Sequence, residues 1–295
     1  MAQFEDEVRS GERFQFGANW TRFLRTLDED RIRRAEDSLK KWLGVDDLHG
    51  KRVLDIGSGS GLFSLAFRRL GASVYSFDYD PNSVNCTKEL KRRFFADDPD
   101  WNVEQGSALD ADYLRSLGRF DIVYSWGVLH HTGSMWQALE NATIPVAEHG
   151  RLFVAIYNDQ GKYSRRWTSI KRIYNRSPWP VPGALACGVL VHQWWRRIVK
   201  DFLLLRPFKT WREYGAERGM SPWHDVVDWV GGYPFEVAKP EQIFDFYHSR
   251  GFELDRMMTD GGGLGCNQFV FTRGLRVGRD ATGASASRPL ASGVR

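Results

Sequence analysis

VLDIGSGSG, residues 53–61, sits between a short apolar run and a longer amphipathic one. KRVLDI (51–56) runs into glycines and reads as a buried strand, and residues 62–70 read as a helix closed by Gly71. Glycines at 57, 59 and 61 let the backbone turn sharply and leave no Cβ between loop and ligand. The helix that follows points free N–H groups and a positive dipole end into the same space. Such a geometry suits a ligand lying across the loop with a carboxylate nearby. A dinucleotide loop would carry a third glycine where Leu62 stands, so a nicotinamide cofactor is a weaker alternative. A phosphate-gripping loop would need Gly-Lys-Ser/Thr, which this stretch lacks.

Working outward, SVYSFD (73–78) reads as a second strand, and Pro81 suits the first turn of the next helix. Residues 101–105 and 120–126 read as strands, 135–147 as a helix interrupted late by Pro145, and 151–157 as a fifth strand. Upstream, the apolar spacing of 19–43 predicts one helix that stops at Gly44. Strands alternating with helices at this pitch imply right-handed crossovers and a parallel sheet covered on both faces. The alternation lapses over 160–239. It resumes with a helix at 240–250, a strand at 252–259, GGGLG at 261–265 and a strand at 267–272. Two strands joined by a short glycine turn form a hairpin, so the last strand should be antiparallel.

Composition places the chain among ordinary globular proteins: 295 residues, 42% hydrophobic and 26% charged. Cys86, Cys187 and Cys266 are odd in number and far apart, so a disulfide framework is not expected and a reducing, cytoplasmic compartment is. The first residues, MAQFEDEVRSGERF, carry acids early and no apolar core, unlike a signal peptide. The net charge of +4 is unevenly spread. Residues 161–219 hold thirteen Lys and Arg against three Asp and Glu, the tail from 275 holds four against one, and the rest is acidic.

Asp78 ends the second strand, where a carboxylate can accept both ribose hydroxyls of a nucleoside, and Tyr79 beside it can pack on an adenine face. VLDIGSGSG, SFDYDP (76–81), FDIVYSWGVLHH (120–131) and the closing hairpin together resemble the class I S-adenosylmethionine (SAM)-dependent methyltransferases. The resemblance covers roughly 50–157 and 240–273 and is greatest to the quinone-biosynthesis-type small-molecule branch. It implies an α/β fold with a doubly wound, mostly parallel seven-stranded sheet, Rossmann-like, last strand antiparallel, and SAM as methyl donor. By that resemblance Gly57, Gly59 and Gly61 border the methionine part of SAM, Asp55 orients the loop or the amino group, and Asp78 holds the ribose. Many relatives place an Asp after the third strand to bind adenine. Here Ser107 stands at that place, leaving the Ser107 side chain and the Ala108 backbone to make the contact. The implied organisation is an N-terminal helical cap (1–49), a methyltransferase domain (50–159 and 240–274), a basic, Trp-rich helical cap insert (160–239) and a disordered tail (275–295).

A base is needed only if the acceptor loses a proton, as a hydroxyl does. His130 and His131 follow the fourth strand and are the candidate bases, His130 being the better match to the resemblance. The bland alternative is that the pair shapes the loop. Tyr157, Asn158 and Asn267 lie at the same strand edge and could orient the acceptor. His224, Asp225 and Asp228 invite a metal reading, but so few ligands make no site, and we expect none.

The insert mixes Trp167, Trp179, Trp194, Trp195, Trp211, Trp223 and Trp229 with many cations. Three readings compete. It is a lid over an anionic or lipophilic small-molecule acceptor, an interfacial element touching a membrane through 177–209, or a stacking surface for RNA. No recognisable RNA-binding module supports the last. The plainest reading is that the Trp residues form a small core of their own. The expected function is methylation of a small molecule, most readily at oxygen, with nitrogen, sulfur or carbon open. An RNA methyltransferase and a non-catalytic SAM-binding protein are the alternatives. Oligomeric state is left open.

Overall fold

The computed structural model describes residues 2–206, 209–211 and 222–274. The disordered tail expected at 275–295 therefore lies outside the described residues. Three helices open the chain: α1 (Ala2–Arg9), α2 (Gly17–Phe23) and α3 (Glu29–Leu43). Strands and helices then alternate through β1 (Arg52–Ile56), α4 (Leu62–Arg69), β2 (Ser73–Asp78), α5 (Pro81–Phe94), β3 (Trp101–Gln105) and α6 (Ala111–Ser116). β4 (Phe120–Trp126), one tight helical turn (Leu129–His131), α7 (Met135–Ala142) and β5 (Val146–Tyr157) follow. The insert contributes α8 (Lys162–Arg176), α9 (Val181–Leu203) and α10 (Pro222–Gly231), and the chain closes with α11 (Pro240–His248), β6 (Phe252–Met258) and β7 (Cys266–Arg273).

The seven strands run in the order β3-β2-β1-β4-β5-β7-β6. β7 is antiparallel to both of its neighbours, and the other pairs are parallel, as the alternation and the glycine hairpin imply. Successive side chains of a strand point to opposite faces, so Leu54, Phe77 and Phe271 join one core with Leu139 and Tyr247. Val53, Val74 and Val270 join another with Phe67, Trp101 and Phe153. The strand order reverses between β1 and β4. In an open α/β sheet, the crevice at that reversal, on the carboxyl edge, is where ligands bind.

Two boundaries differ from the sequence reading. The helix expected over 19–43 is broken, because Asp28 takes an extended backbone and its side chain accepts the Arg31 N–H at 2.9 Å, starting α3 afresh. The helix expected to reach 147 stops at Ala142, and β5 already begins at Val146, opposite Phe120. Pro145 has no N–H to continue a helix, whereas its carbonyl accepts the Phe120 N–H at 2.8 Å. Within the insert, Trp167, Ala186, Val226, Val230 and Phe235 form a third, separate core. Its Trp residues thus partly cover one another, as the plainest reading anticipates. Among the described residues no helix is long and apolar enough to cross a membrane.

Candidate active site

A cavity of about 1650 Å³ opens at the strand-order reversal. A pocket for one small molecule usually holds roughly 300–1,000 Å³, so this one has room for a cofactor and an acceptor together. Its walls come from four parts of the chain. Asp55, Gly57, Gly59, Asp78 and Tyr79 line it from the glycine loop and β2. Ser107, Ala108 and Asp110 follow β3, and His131 and Tyr157 come from the ends beyond β4 and β5. The N-terminal segment and the insert close it.

Glycines 57, 59 and 61 all adopt left-handed backbone, with φ of 79°, 56° and 81°. The reason glycine is required differs from the sequence expectation at two of them. A Cβ at Gly57 would lie 2.3 Å from Val128 Cγ1, and one at Gly61 would lie 2.8 Å from Thr87 Cα. These positions make room for the protein's own β4 loop and α5, and Gly61 does not line the cavity. At Gly61 the obstacle is backbone, which cannot swing aside. Left-handed strain and overpacking together should make Gly61→Ala cost roughly 2–4 kcal/mol. We expect a fall in melting temperature of roughly 5 °C or more by calorimetry. An unchanged melting point would refute this packing account.

Both carboxylates of the loop are tied in. Asp55 Oδ2 accepts Ser64 Oγ–H at 2.5 Å, at the end of a buried relay. Trp101 Nε1–H donates to Ser76 Oγ at 3.0 Å, and Ser76 donates on to Ser64 at 2.8 Å. Burial raises the Asp55 carboxyl to about 7, against the lowering effect of Ser64. Asp78 Oδ2 accepts the Gly59 N–H and Oδ1 the Asp80 N–H, each at 2.9 Å. Burial raises Asp78 to about 6, with those N–H groups pulling the other way. Two of its roughly four lone-pair sites are used, so it retains acceptor capacity toward the cavity.

At the far side Ser107 Oγ accepts the Leu109 N–H at 3.2 Å, and the Ala108 carbonyl accepts Asn141 Nδ2–H at 3.0 Å. The carboxylate that the sequence lacks at 107 is present three residues on. Asp110 lines the cavity while accepting the Tyr113 N–H at 2.9 Å. Tyr79 donates its hydroxyl to Glu7 at 3.1 Å, and the Arg13 guanidinium lies 4.8 Å over its ring. Phe4 packs edge-on to the same ring at 5.5 Å, so the N-terminal segment holds Tyr79 in the cavity wall.

That segment is the part of the site the sequence reading missed. Phe4, Glu7, Arg13, Phe14, Phe16 and Trp20 all line the cavity. Arg13 donates to the His131 carbonyl at 2.9 Å, the Phe14 N–H donates to the Tyr233 carbonyl at 2.8 Å, and the Gly17 N–H donates to Asp80 at 2.8 Å. These contacts span more than sixty residues and leave no local pattern.

The adjacent histidines have different surroundings. His130 is wholly buried and does not line the cavity. Its Nδ1 accepts the Tyr157 N–H at 3.4 Å, its Nε2 has no partner, and burial holds its pKa well below the usual value. The preference for His130 over His131 thus runs against the geometry, because an acceptor cannot reach it. His131 does line the cavity. Its Nδ1 lies 2.6 Å from the Pro234 carbonyl, and burial lowers its pKa to about 3. A carbonyl only accepts, so Nδ1 carries the proton and Nε2 is left as the bare lone pair.

Tyr157 reaches the cavity and packs against His130, His131, Trp229 and Phe235. Asn158 and Asn267 do not reach it. They are buried and bonded to each other at 3.1 Å, Asn158 Nδ2–H donates to the Gly263 carbonyl, and Asn267 Oδ1 accepts the Asp260 N–H. They anchor the glycine turn, which brings Leu264, Gly265 and Cys266 to the wall.

From the insert come Tyr163, Arg166, Trp167 and Ile170 of α8, Val189 and His192 of α9, and Asp225, Asp228 and Trp229 of α10. Asp228 is raised to about 7 by burial and bonds Asn19 of α2. Lys171 is buried, bonds the Trp229 carbonyl, and is lowered to about 7 by burial. Of the three residues weighed as metal ligands, Asp225 and Asp228 face the cavity and His224 does not. Among the described residues no cluster of three or more His, Cys, Asp or Glu is placed to hold a metal ion.

A family described as a methyltransferase domain matches residues 27–224, two thirds of the chain. The chain belongs to this family. It is a class I SAM-dependent methyltransferase, and the nicotinamide alternative falls away. The match is to the domain as a whole and does not single out the quinone-biosynthesis branch. A tRNA U34 carboxymethyltransferase of Pseudomonas savastanoi is 40% identical over 99 residues, 32% of this chain and 30% of that protein. A ribosomal protein L11 methyltransferase of Prochlorococcus marinus is 42% identical over 77 residues, 26% of each. The matches thus span under a third of these curated relatives. Magnesium protoporphyrin IX methyltransferase from Synechocystis, solved with bound S-adenosylhomocysteine, shares the fold at a TM-score of 0.50 and 17% identity, over 87% of this chain and 94% of that one.

Proposed function

We propose that this methyltransferase acts in the cytoplasm and alkylates a hydroxyl of a small molecule, with His131 taking the proton. The observation that carries the reading is the locked His131 ring in the cavity wall, with Nδ1 fixed by the Pro234 carbonyl. In this reading Gly57 and Gly59 of the glycine loop border the methionine part of SAM, Gly61 seats the loop against α5, and Asp55 keeps that loop in shape. Asp78 accepts from the ribose, and Tyr79, Ser107 and Ala108 flank the adenine. SAM supplies a methyl group already activated on a sulfonium. The protein's share is to hold the acceptor oxygen in line with that methyl and to exclude water. The hydroxyl proton passes to His131 Nε2 as the oxygen–carbon bond forms and the sulfur–carbon bond breaks.

The acceptor lies where Tyr157, Trp167, Ile170 and Trp229 make an apolar wall, and Arg166 offers one cation to an acidic group. The 1–49 segment and the 160–239 insert act as two caps over the 50–159 and 240–274 body. A screen of hydroxylated aromatic and aliphatic acids, read by S-adenosylhomocysteine release, tests the reading. We expect turnover with a subset and the new methyl on oxygen by mass spectrometry. Turnover confined to RNA or protein would sink it.

One pair of observations favours a second reading. The insert is strongly basic, and the Pseudomonas relative is named for a tRNA reaction. If RNA is the acceptor, tRNA should bind and lose affinity by orders of magnitude between 50 and 200 mM salt, as phosphate contacts do.

A further inference from the structure

α9 is 23 residues long, and its two sides have different surroundings. Ala186, Trp194 and Asp201 are buried on one side. The outer side is apolar and exposed: Val191 is 62% exposed, Trp195 49% and Val199 47%, and Leu203 and Leu205 beyond them reach 79% and 90%. Residues 191, 195 and 199 recur at four-residue steps, which puts them in one stripe along the helix. Trp179, just before α9, is 86% exposed.

Cations accompany the stripe. Residues 161–200 contain nine Lys and Arg and no Asp or Glu. Arg196 lies 5.5 Å over the Trp195 ring. Asp201, the first acid after them, is turned inward and held by the Thr210 N–H at 2.8 Å and its hydroxyl at 2.6 Å. Beside the stripe, Gly188, Val189, His192 and Gln193 of the same helix line the large cavity.

We propose that the outer face of α9 from Val191 on, with the turn through Leu205 that follows it, docks on an anionic phospholipid surface and sets the cavity mouth against it. Trp and aliphatic side chains would enter the headgroup layer while Arg196, Lys200 and Arg206 reach lipid phosphates. The charge pattern decides against a second copy of this chain as the occupant. A two-fold contact would bring the same cation-rich faces together. Docking depends on this helix and the turn after it and needs no particular acceptor.

The test is flotation of the full chain with phosphatidylcholine vesicles, with and without phosphatidylglycerol. We expect association with the anionic vesicles only. Arg196→Glu/Lys200→Glu should weaken it at least tenfold, since each basic side chain near such a surface contributes about one such step or slightly less. Trp195→Ser/Leu203→Ser should weaken it similarly, and both variants should bind SAM within twofold of the parent. The proposal is overturned if the parent fails to float at low salt, or if neither variant changes its flotation. It is equally overturned if sedimentation shows a dimer that Trp195→Ser/Leu203→Ser dissolves while vesicles are ignored.

Discussion

His131→Ala should lower kcat by roughly a hundredfold or more while SAM affinity stays within about twofold. The residue faces the cavity, its Nδ1 is committed to the Pro234 carbonyl, and its Nε2 is the available lone pair. Its ring also packs on Phe16 and Tyr157, so lost turnover alone would not separate chemistry from packing. One further readout does. Added imidazole should restore part of the rate by entering the vacated space. Separately, the His131 ring should add no acid limb of its own to the parent's kcat between pH 6 and 7. Burial lowers the His131 pKa to about 3, so the ring stays neutral through that window and charges only far below it. His130→Gln, by contrast, should leave kcat nearly unchanged, because its ring lies behind the wall. A His131→Ala enzyme that turns over within threefold of the parent would remove the proton-transfer role.

The contrast between these neighbours shows where sequence reading stops. β1, β2 and β4 are legible because each is a short, largely apolar run with a sharp end: Gly57 after Ile56, Asp78 at the close of β2, Gly127 after Trp126. The glycine loop and Asp78 are legible for the same reason, since strand–turn–helix is a local pattern. His130 and His131 share one helical turn, and adjacent residues there point in different directions. Only the packing of Tyr157 and Pro234 around them decides which one meets the cavity. The break before α3 is hidden because Leu24 and Leu27 keep the apolar spacing running, and Asp28 overrides it with a cap. The N-terminal wall is hidden more deeply. Phe14 and Arg13 are held by Tyr233 and His131, and no periodicity in 1–23 encodes partners so distant. In the insert, Trp spacing conveys burial poorly. Trp167 and Trp194 are core, while Trp179 and Trp195 face outward.

Asp78→Asn should weaken SAM and S-adenosylhomocysteine binding by roughly a hundredfold. A charge-assisted hydrogen bond contributes about 1.5–3 kcal/mol, and two ribose hydroxyls are expected to donate to this carboxylate. Asparagine keeps the shape and one acceptor oxygen, so the loop bonds to Gly59 and Asp80 are only partly lost and the protein should stay folded. The pH dependence gives an independent check. Burial raises the Asp78 pKa to about 6, so in the free enzyme it is ionised at neutral pH and protonates as pH falls through 6. Ribose binding favours the ionised form, so it must expel that proton at lower pH. Affinity should therefore be flat above about pH 7 and fall toward tenfold per pH unit below 6. The Asp78→Asn variant has no such carboxyl and should lose most of this slope. Calorimetric titration of both proteins between pH 5 and 8 measures each arm. A parent whose affinity ignores pH, together with a variant that binds as tightly, would leave Asp78 as a brace for the glycine turn and nothing more.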